Sequence, residues 1–110
     1  MSIGKARGVE REPTVELIRW KVMLTGQGTH HFIGVHSRRL SGRVSSAIVD
    51  FDRPGLMGHT RSGRAYLLVG ASMHDTDADY VWQCWCALNR VTSYEDISCL
   101  WARVDSTGHE

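Results

Sequence analysis

Hydrophobic and polar residues alternate with a period of two through much of residues 15–70, which is typical of half-buried β-strands. In the first of these segments Ile18, Trp20, Val22 and Leu24 share one face. Turn-forming stretches rich in Gly, Ser and Pro separate the segments. The predicted strands cover residues 15–24, 29–36, 43–51, 56–61 and 64–70. The pattern therefore predicts an antiparallel, strongly curved meander sheet of five strands.

The first hairpin has a register that its apolar residues support. If residues 26–27 form the turn, Ile33 lies opposite Trp20 and Val35 lies opposite Ile18. The apolar faces of the two strands then agree, as a sheet with one buried face requires.

The last predicted hairpin closes with a tight turn. If residues 62–63 form a two-residue turn, Arg61 lies opposite Arg64 and His59 lies opposite Tyr66. These four side chains would then share one face of the sheet, because residues directly opposite each other point the same way.

Between Asp77 and Leu88 the apolar period changes to about 3.6, which predicts an amphipathic α-helix over residues 77–88. On a helical wheel Trp85 lies near the middle of the apolar stripe, which also holds Trp82 and Leu88. Thr76 is placed to cap the N-terminus. Two tryptophans on one face need a large apolar partner surface, so we expect this helix to cover one face of the sheet.

Residues 94–104 fit two different structures. Ser93 followed by Asp96 has the spacing of a capping box, and the apolar residues after it have helical spacing. The same segment is also apolar at alternate positions, so a sixth strand is the other possibility. A second short helix is favoured.

The length suits one domain, and the ends of the chain suit tails. Residues 1–13 are charged and aperiodic, which predicts a disordered N-terminal tail, and residues 105–110 predict a frayed C-terminal one. A single α+β domain is expected over residues 14–104. Because the chain has neither an apolar run of membrane-spanning length nor the apolar core of a signal peptide, we expect a cytoplasmic protein without a membrane partner.

Charge is divided unevenly along the chain. Residues 1–64 hold 11 of the 13 Lys and Arg residues but only 5 of the 12 Asp and Glu residues. This division fits a basic sheet surface for an anionic partner. The favoured interpretation is that the two halves complement each other within one domain, and a homodimer in which the opposite charges meet is a further hypothesis.

Residue spacing excludes several chemistries. Cys84 and Cys86 would point about 200° apart on a helix, and with Cys99 they match no standard zinc pattern. Aspartates at positions 75, 77 and 79 begin like a calcium loop, but the later positions that need Gly and Glu hold other residues. The chain has no phosphate-binding glycine loop and no nucleophile elbow. We therefore expect no metal site and no cofactor.

One row of side chains has the composition of an acid–base site. If Pro54 and Gly55 form a two-residue turn, Asp50 lies beside His59, which in turn lies opposite Tyr66. An Asp–His–Tyr row is a catalytic candidate. The alternative is an ordinary solvated cross-strand row.

A second set of residues combines cations with an aromatic ring. Such a surface holds phosphates by charge and offers a ring on which a base can stack. The alternative is a plain solvated face with arginines at its turns. The predicted ligand-binding residues are Arg61, Arg64, Tyr66, Arg38, Arg39 and Arg43.

The stretch TRSGRAYLLVG, followed by DADYVWQCWCALNRVTSYEDIS, resembles short uncharacterised proteins carried on bacterial mobile elements. The resemblance covers about the second half of the chain and implies no activity. From the residues themselves we expect a small binding or interaction protein, self-associating or with a protein partner. A nucleic-acid-binding module is the second hypothesis, and a small enzyme using Asp50, His59 and Tyr66 is the third.

Overall fold

The computed structural model describes residues 8–102, so residues 1–7 of the predicted N-terminal tail and all of the predicted C-terminal tail lie outside the described residues. The domain is α+β, with two helices on a mostly antiparallel sheet. Its elements are β1 (Thr14–Thr25), β2 (His30–His36), β3 (Gly42–Val44), β4 (Ile48–Asp52), β5 (Met57–Thr60), β6 (Ala65–Leu68), α1 (Thr76–Leu88), β7 (Tyr94–Asp96) and α2 (Ser98–Trp101).

The sheet has seven strands, two more than the five predicted. One extra strand arises because the predicted third strand is interrupted at Ser45. The Ser45 hydroxyl oxygen, in place of a backbone carbonyl, accepts the Phe32 N–H (2.9 Å), and β3 and β4 form on either side of the interruption. The other extra strand, β7, pairs with the end of β1.

The strands lie in the order β3-β2-β1-β6-β5-β4, and the sheet curves so that its first and last strands approach each other. Its two outer strands, β3 and β4, are consecutive in the chain and only residues 45–47 separate them. The rings of Phe32 on β2 and Phe51 on β4 therefore come within 5.9 Å of each other. The sheet is also not wholly antiparallel, since the first part of β1 pairs in parallel with β6. The sequence did not predict this long-range pair.

A β-bulge in β1 changes which residues face inward. Val35 lies opposite Ile18 as predicted, but Ile33 lies opposite Lys21, so the predicted pairing of Ile33 with Trp20 is wrong. The bulge includes Arg19, whose φ is 47°. An extra residue shifts the two-residue period by one position. As a result, the larger apolar cluster takes the odd positions Val15 and Leu17 before the bulge and the even positions Trp20 and Val22 after it.

The concave side of the sheet holds the larger apolar cluster. Its central aromatic is Phe32, and α2 contributes Trp101, whose ring lies 4.6 Å from that of Phe51. This cluster contains Val15, Leu17, Trp20, Val22, Phe32, Leu56, Tyr66, Leu68 and Ile97.

Helix α1 covers the opposite face of the sheet, as predicted, but it is rotated from the predicted wheel. Trp82 is fully buried at 0% exposure and packs with Met23 and Ile33, whereas Trp85 is only partly buried. Leu88, which the wheel placed in the buried stripe, is 77% exposed. The stripe therefore centres on Trp82, and Trp85 lies at its border.

Both ends of α1 have defined caps. The N-cap is Asp75 rather than Thr76, and its carboxylate accepts the Ala78 N–H (3.0 Å). At the other end the Val91 N–H donates to the Cys86 carbonyl oxygen (2.9 Å), with Arg90 at a φ of 57°. This is the arrangement of a Schellman motif, with Arg90 at the left-handed position.

In the described part of the 94–104 segment, residues 94–96 form a strand and residues 98–101 form a short helix, so the structure contains part of each alternative. Asp96 accepts a hydrogen bond from the Ser98 N–H (2.9 Å) at the start of α2, and the Ser98 hydroxyl accepts the Val22 N–H (2.9 Å). The predicted helix start at Ser93 is therefore wrong.

Among residues 8–102, no helix has the length and apolar character needed to cross a membrane.

Candidate ligand-binding groove

The hairpin between β5 and β6 has a three-residue loop instead of the predicted two-residue turn. The Thr60 N–H donates to the Arg64 carbonyl oxygen (3.0 Å), and Gly63 takes a φ of 93° that glycine tolerates without strain. The extra residue shifts the register by one, so Tyr66 lies opposite Gly58 and His59 lies opposite Ala65.

This shift separates the predicted Asp–His–Tyr row. Asp50 and His59 are paired as predicted, with Asp50 Oδ1 2.9 Å from His59 Nδ1. Tyr66, however, is 2% exposed in the concave core, where it packs against Phe32. The side chains of Asp50 and His59 are 65% and 52% exposed. The pair therefore matches the solvated cross-strand alternative, and the prediction that Tyr66 joins it is wrong.

The predicted basic patch is also divided. Arg43 and Arg64 are buried beside the residues that precede β1, and Tyr66 is in the core. Arg38 and Arg39 are exposed in the loop after β2. Arg61 is exposed in the loop between β5 and β6, apart from the other predicted ligand-binding residues.

The two buried arginines belong to a polar network around Glu12. Arg64 Nε donates to the Glu12 carbonyl oxygen (3.0 Å), and Arg43 NH2 lies 3.6 Å from Glu12 Oε1. The network therefore places Glu12, which the sequence assigns to the N-terminal tail, in contact with the sheet.

His36 completes this network with a defined tautomer. Its Nδ1 accepts the N–H groups of Arg38 and Arg39 (3.2 Å each), so Nε2 carries the hydrogen that is donated to Glu12 Oε2 (2.7 Å). Burial disfavours ionisation of Glu12, but the His36 hydrogen bond and the nearby positive charges outweigh it and lower the pKa of Glu12.

A concave site lies on the other side of the molecule, at the C-terminal half of α1. This site, which we call the Trp85 groove, has a volume of about 300 Å³. Its wall comes from the β1–β2 turn, the bend between β3 and β4, the β5–β6 loop and α1. The lining residues are Gln27, Thr29, His31, Ser46, Ala47, Arg61, Trp85 and Asn89.

Stacked rings form the aromatic wall of the Trp85 groove. The indole rings of Trp85 and Trp82 are nearly parallel, at 9°, with centroids 5.2 Å apart. The imidazole of His31 lies 4.4 Å from the Trp85 ring. Because Trp82 is fully buried, it supports Trp85 rigidly from the core.

His31 forms the floor of the groove, and its surroundings favour the neutral imidazole. Its Nδ1 donates to the Ser45 carbonyl oxygen (2.9 Å), and the Thr29 hydroxyl lies 2.9 Å from Nε2. Burial lowers the pKa of His31 and outweighs the Ser45 hydrogen bond, which raises it; the positive charge of Arg61 lowers it further. The guanidinium of Arg61 is thus close enough to influence the floor of the groove.

The rim of the groove combines one cation with two amides. Arg61 forms no ion pair with any carboxylate of residues 8–102. Asn89 is held by the hydrogen bond from its Nδ2 to the Trp85 carbonyl oxygen (2.9 Å), and Gln27 reaches the Arg90 carbonyl oxygen (3.4 Å). The lining contains no Asp or Glu, so the groove suits a ligand with negative charge.

A second cavity of about 390 Å³ lies beside the Glu12 network. Its lining mixes the cations Arg11 and Arg38 with the carboxylates Glu12 and Glu16. Because the opposite charges offset each other there, this cavity shows no preference for a charged ligand.

In the described part of the chain, no group of three or more His, Cys, Asp or Glu side chains is arranged to hold a metal ion.

Comparison of the chain with protein-family models, with curated proteins and with solved structures finds no match in any of the three. The resemblance to proteins of bacterial mobile elements therefore stays a prediction.

Of the groove residues, the sequence identified only Arg61. One signal was available, since Asn89 falls inside the apolar stripe of the helical wheel beside Trp85. A polar residue there marks the point where the stripe leaves the core.

Proposed function

We propose that this protein is a small binding protein that holds its ligand in the Trp85 groove. The observation that carries the proposal is the convergence, in one concavity, of a partly exposed indole with an Arg61 guanidinium that has no ion pair among the described residues. Ligand sites typically join an apolar wall to a few convergent polar groups in this way.

The geometry supports binding better than catalysis. Burial lowers the pKa of His31, and its Nδ1 donates to the Ser45 carbonyl oxygen and not to a carboxylate, so the imidazole is a weak base toward the Thr29 hydroxyl beside Nε2. The Asp50–His59 pair is solvent-exposed and lacks the third residue that the sequence suggested. The enzyme hypothesis thus loses the arrangement on which it depended.

Isothermal titration with three small probes tests the proposal. Phenyl phosphate has a planar ring and a negative charge, benzamidine has a similar ring with a positive charge, and inorganic phosphate has the charge without the ring. We expect phenyl phosphate to bind most tightly, and Trp85→Leu to weaken that binding. Equal binding of phenyl phosphate and benzamidine, or none by either, would contradict the proposal.

Self-association is a second candidate function and is compatible with a ligand in the groove. It is favoured by Val49, which is 60% exposed on β4, an outer strand of the sheet. Exposed apolar side chains on outer strands promote pairing with another chain. Light scattering over a dilution series tests it, and a monomer at every concentration up to the high micromolar range would refute it.

A further inference from the structure

We infer that the ligand of the Trp85 groove is a nucleobase that carries phosphate, either as a free nucleotide or within a single strand of nucleic acid. This inference rests on the proposed function and names the chemical class of the ligand. It follows from three features of the groove: its aromatic wall, its amide groups and its arrangement of cations.

The aromatic wall offers a surface for a base. Trp85 is partly exposed and is supported by the buried ring of Trp82, so packing a base against it does not require the indole to be ordered first. Contacts between bases and aromatic side chains tolerate every base, because each base has a π-face. A volume of about 300 Å³ admits one base, whereas paired bases in a duplex keep their faces stacked against each other.

The polar groups of the rim suit the edges of a base. The side-chain amides of Gln27 and Asn89 each contain a donor and an acceptor, as base edges do. The Ser46 hydroxyl accepts the Ser62 N–H and keeps its own hydrogen for a base edge, whereas the Thr29 hydroxyl is engaged by Thr25 and His31. The amide nitrogens of Gln27 and Asn89 already donate to the carbonyl oxygens of Arg90 and Trp85, so a base edge would engage their amide oxygens and remaining N–H groups. A purely apolar aromatic ligand would engage none of these.

The cations suit phosphate on both sides of the base. Arg61 lies on one side, and its planar guanidinium matches the oxygens of a phosphate. On the other side a smaller cavity of about 140 Å³ is lined by Arg90 and shares Gln27 with the groove. The two cavities therefore adjoin, and neither lining contains a carboxylate. A strand that runs from Arg61 past Trp85 to Arg90 would meet a cation at each end.

Fluorescence anisotropy with three labelled probes tests the inference: a ten-nucleotide oligothymidylate, its duplex with oligoadenylate, and thymidine 5′-monophosphate. Arg61→Gln and Trp85→Leu remove the cation and the aromatic wall of the groove. Arg38→Gln is the matched control, because it removes an equal charge from an exposed loop that does not line the groove. Circular dichroism confirms that each variant is folded.

We expect the single strand to bind, with each groove variant about tenfold weaker and Arg38→Gln nearly unchanged. Binding of the monophosphate as tight as that of the single strand identifies a free nucleotide as the ligand. Tighter binding of the single strand, with a strong salt dependence, identifies the nucleic acid.

Three outcomes would overturn the inference: no binding of either the single strand or the monophosphate, equal losses in Arg61→Gln and Arg38→Gln, or tightest binding of the duplex. If phenyl phosphate binds and the nucleotide probes do not, the proposed function stands and this inference fails. If phenyl phosphate also fails to bind, both fail.

Discussion

The two stacked tryptophans of α1 should differ sharply in their contribution to stability. A tryptophan side chain buries about 150–250 Å², which at about 25 cal/mol per Å² corresponds to about 4–6 kcal/mol when burial is complete. Trp82 is fully buried among Met23, Ile33 and Val91, so Trp82→Ala should cost about 3–5 kcal/mol and leave a closed cavity. This is a large part of the roughly 5–15 kcal/mol that stabilises a domain.

Trp85 should cost less to remove, because it lies at the border of the stripe and its space opens into the groove. We expect Trp85→Ala to cost about half as much as Trp82→Ala, roughly 1.5–2.5 kcal/mol. Trp82→Phe should be milder than Trp82→Ala for a separate reason. The indole N–H of Trp82 is buried without an acceptor among residues 8–102. An unpaired buried donor costs about 1–3 kcal/mol, and phenylalanine avoids this cost because it has no N–H on its ring.

Urea unfolding followed by far-ultraviolet circular dichroism measures these differences without relying on tryptophan fluorescence. The expected order of stability is wild type, then Trp85→Ala, then Trp82→Ala. A Trp85→Ala protein as unstable as Trp82→Ala would refute the rotated helix and restore the original wheel, in which Trp85 is central.

Three further predictions concern single positions. The pKa of His31 is lowered in the folded state, so the unfolded state binds a proton at His31 more readily. The free energy of unfolding should therefore fall as the pH drops below 6.5, the ordinary pKa of a histidine. In urea titrations between about pH 7 and 5, His31→Gln should make that fall shallower. Arg90→Gly should stabilise the domain by about 0.5–1 kcal/mol, because glycine adopts the left-handed conformation of this cap position without strain. Thermal melting measures the change, and a lower melting temperature would refute the Schellman cap. Gly42→Ala should destabilise the domain by about 1–3 kcal/mol, because a Cβ at this position would lie 2.6 Å from the Asp77 carbonyl oxygen. An unchanged urea midpoint would show that α1 does not approach β3 so closely.

Local pattern predicted α1 and five of the strand segments, but it predicted only some of the strand registers. The helix bounds and the pairing of Asp50 with His59 depend on residues close together in sequence, and the structure agrees with them. The first hairpin forms, but only its pairing of Val35 with Ile18 is as predicted. The position of Tyr66 depends on whether a loop has two residues or three. One residue moves every side chain of the following strand to the other face, so this small difference placed Tyr66 in the core.

The site was harder to predict because it is assembled from distant segments. Gln27, His31, Arg61 and Asn89 meet only because the sheet curves and α1 crosses its convex face. The same long-range packing buried Arg43 and Arg64 around Glu12, whereas sequence patterning suggested two exposed cations. Composition indicates that arginines are present, but only the tertiary structure determines which of them remain available to a ligand.

The most direct test of the proposed site is a titration of the isotopically labelled protein with phenyl phosphate, followed in ¹H–¹⁵N correlation spectra. If the Trp85 groove is the ligand site, the shifts should be largest at the indole N–H of Trp85, the side-chain amides of Gln27 and Asn89, and the backbone around Arg61. If the spectra do not change, or if the shifts gather at the Arg38–Arg39 loop instead, the central claim is wrong.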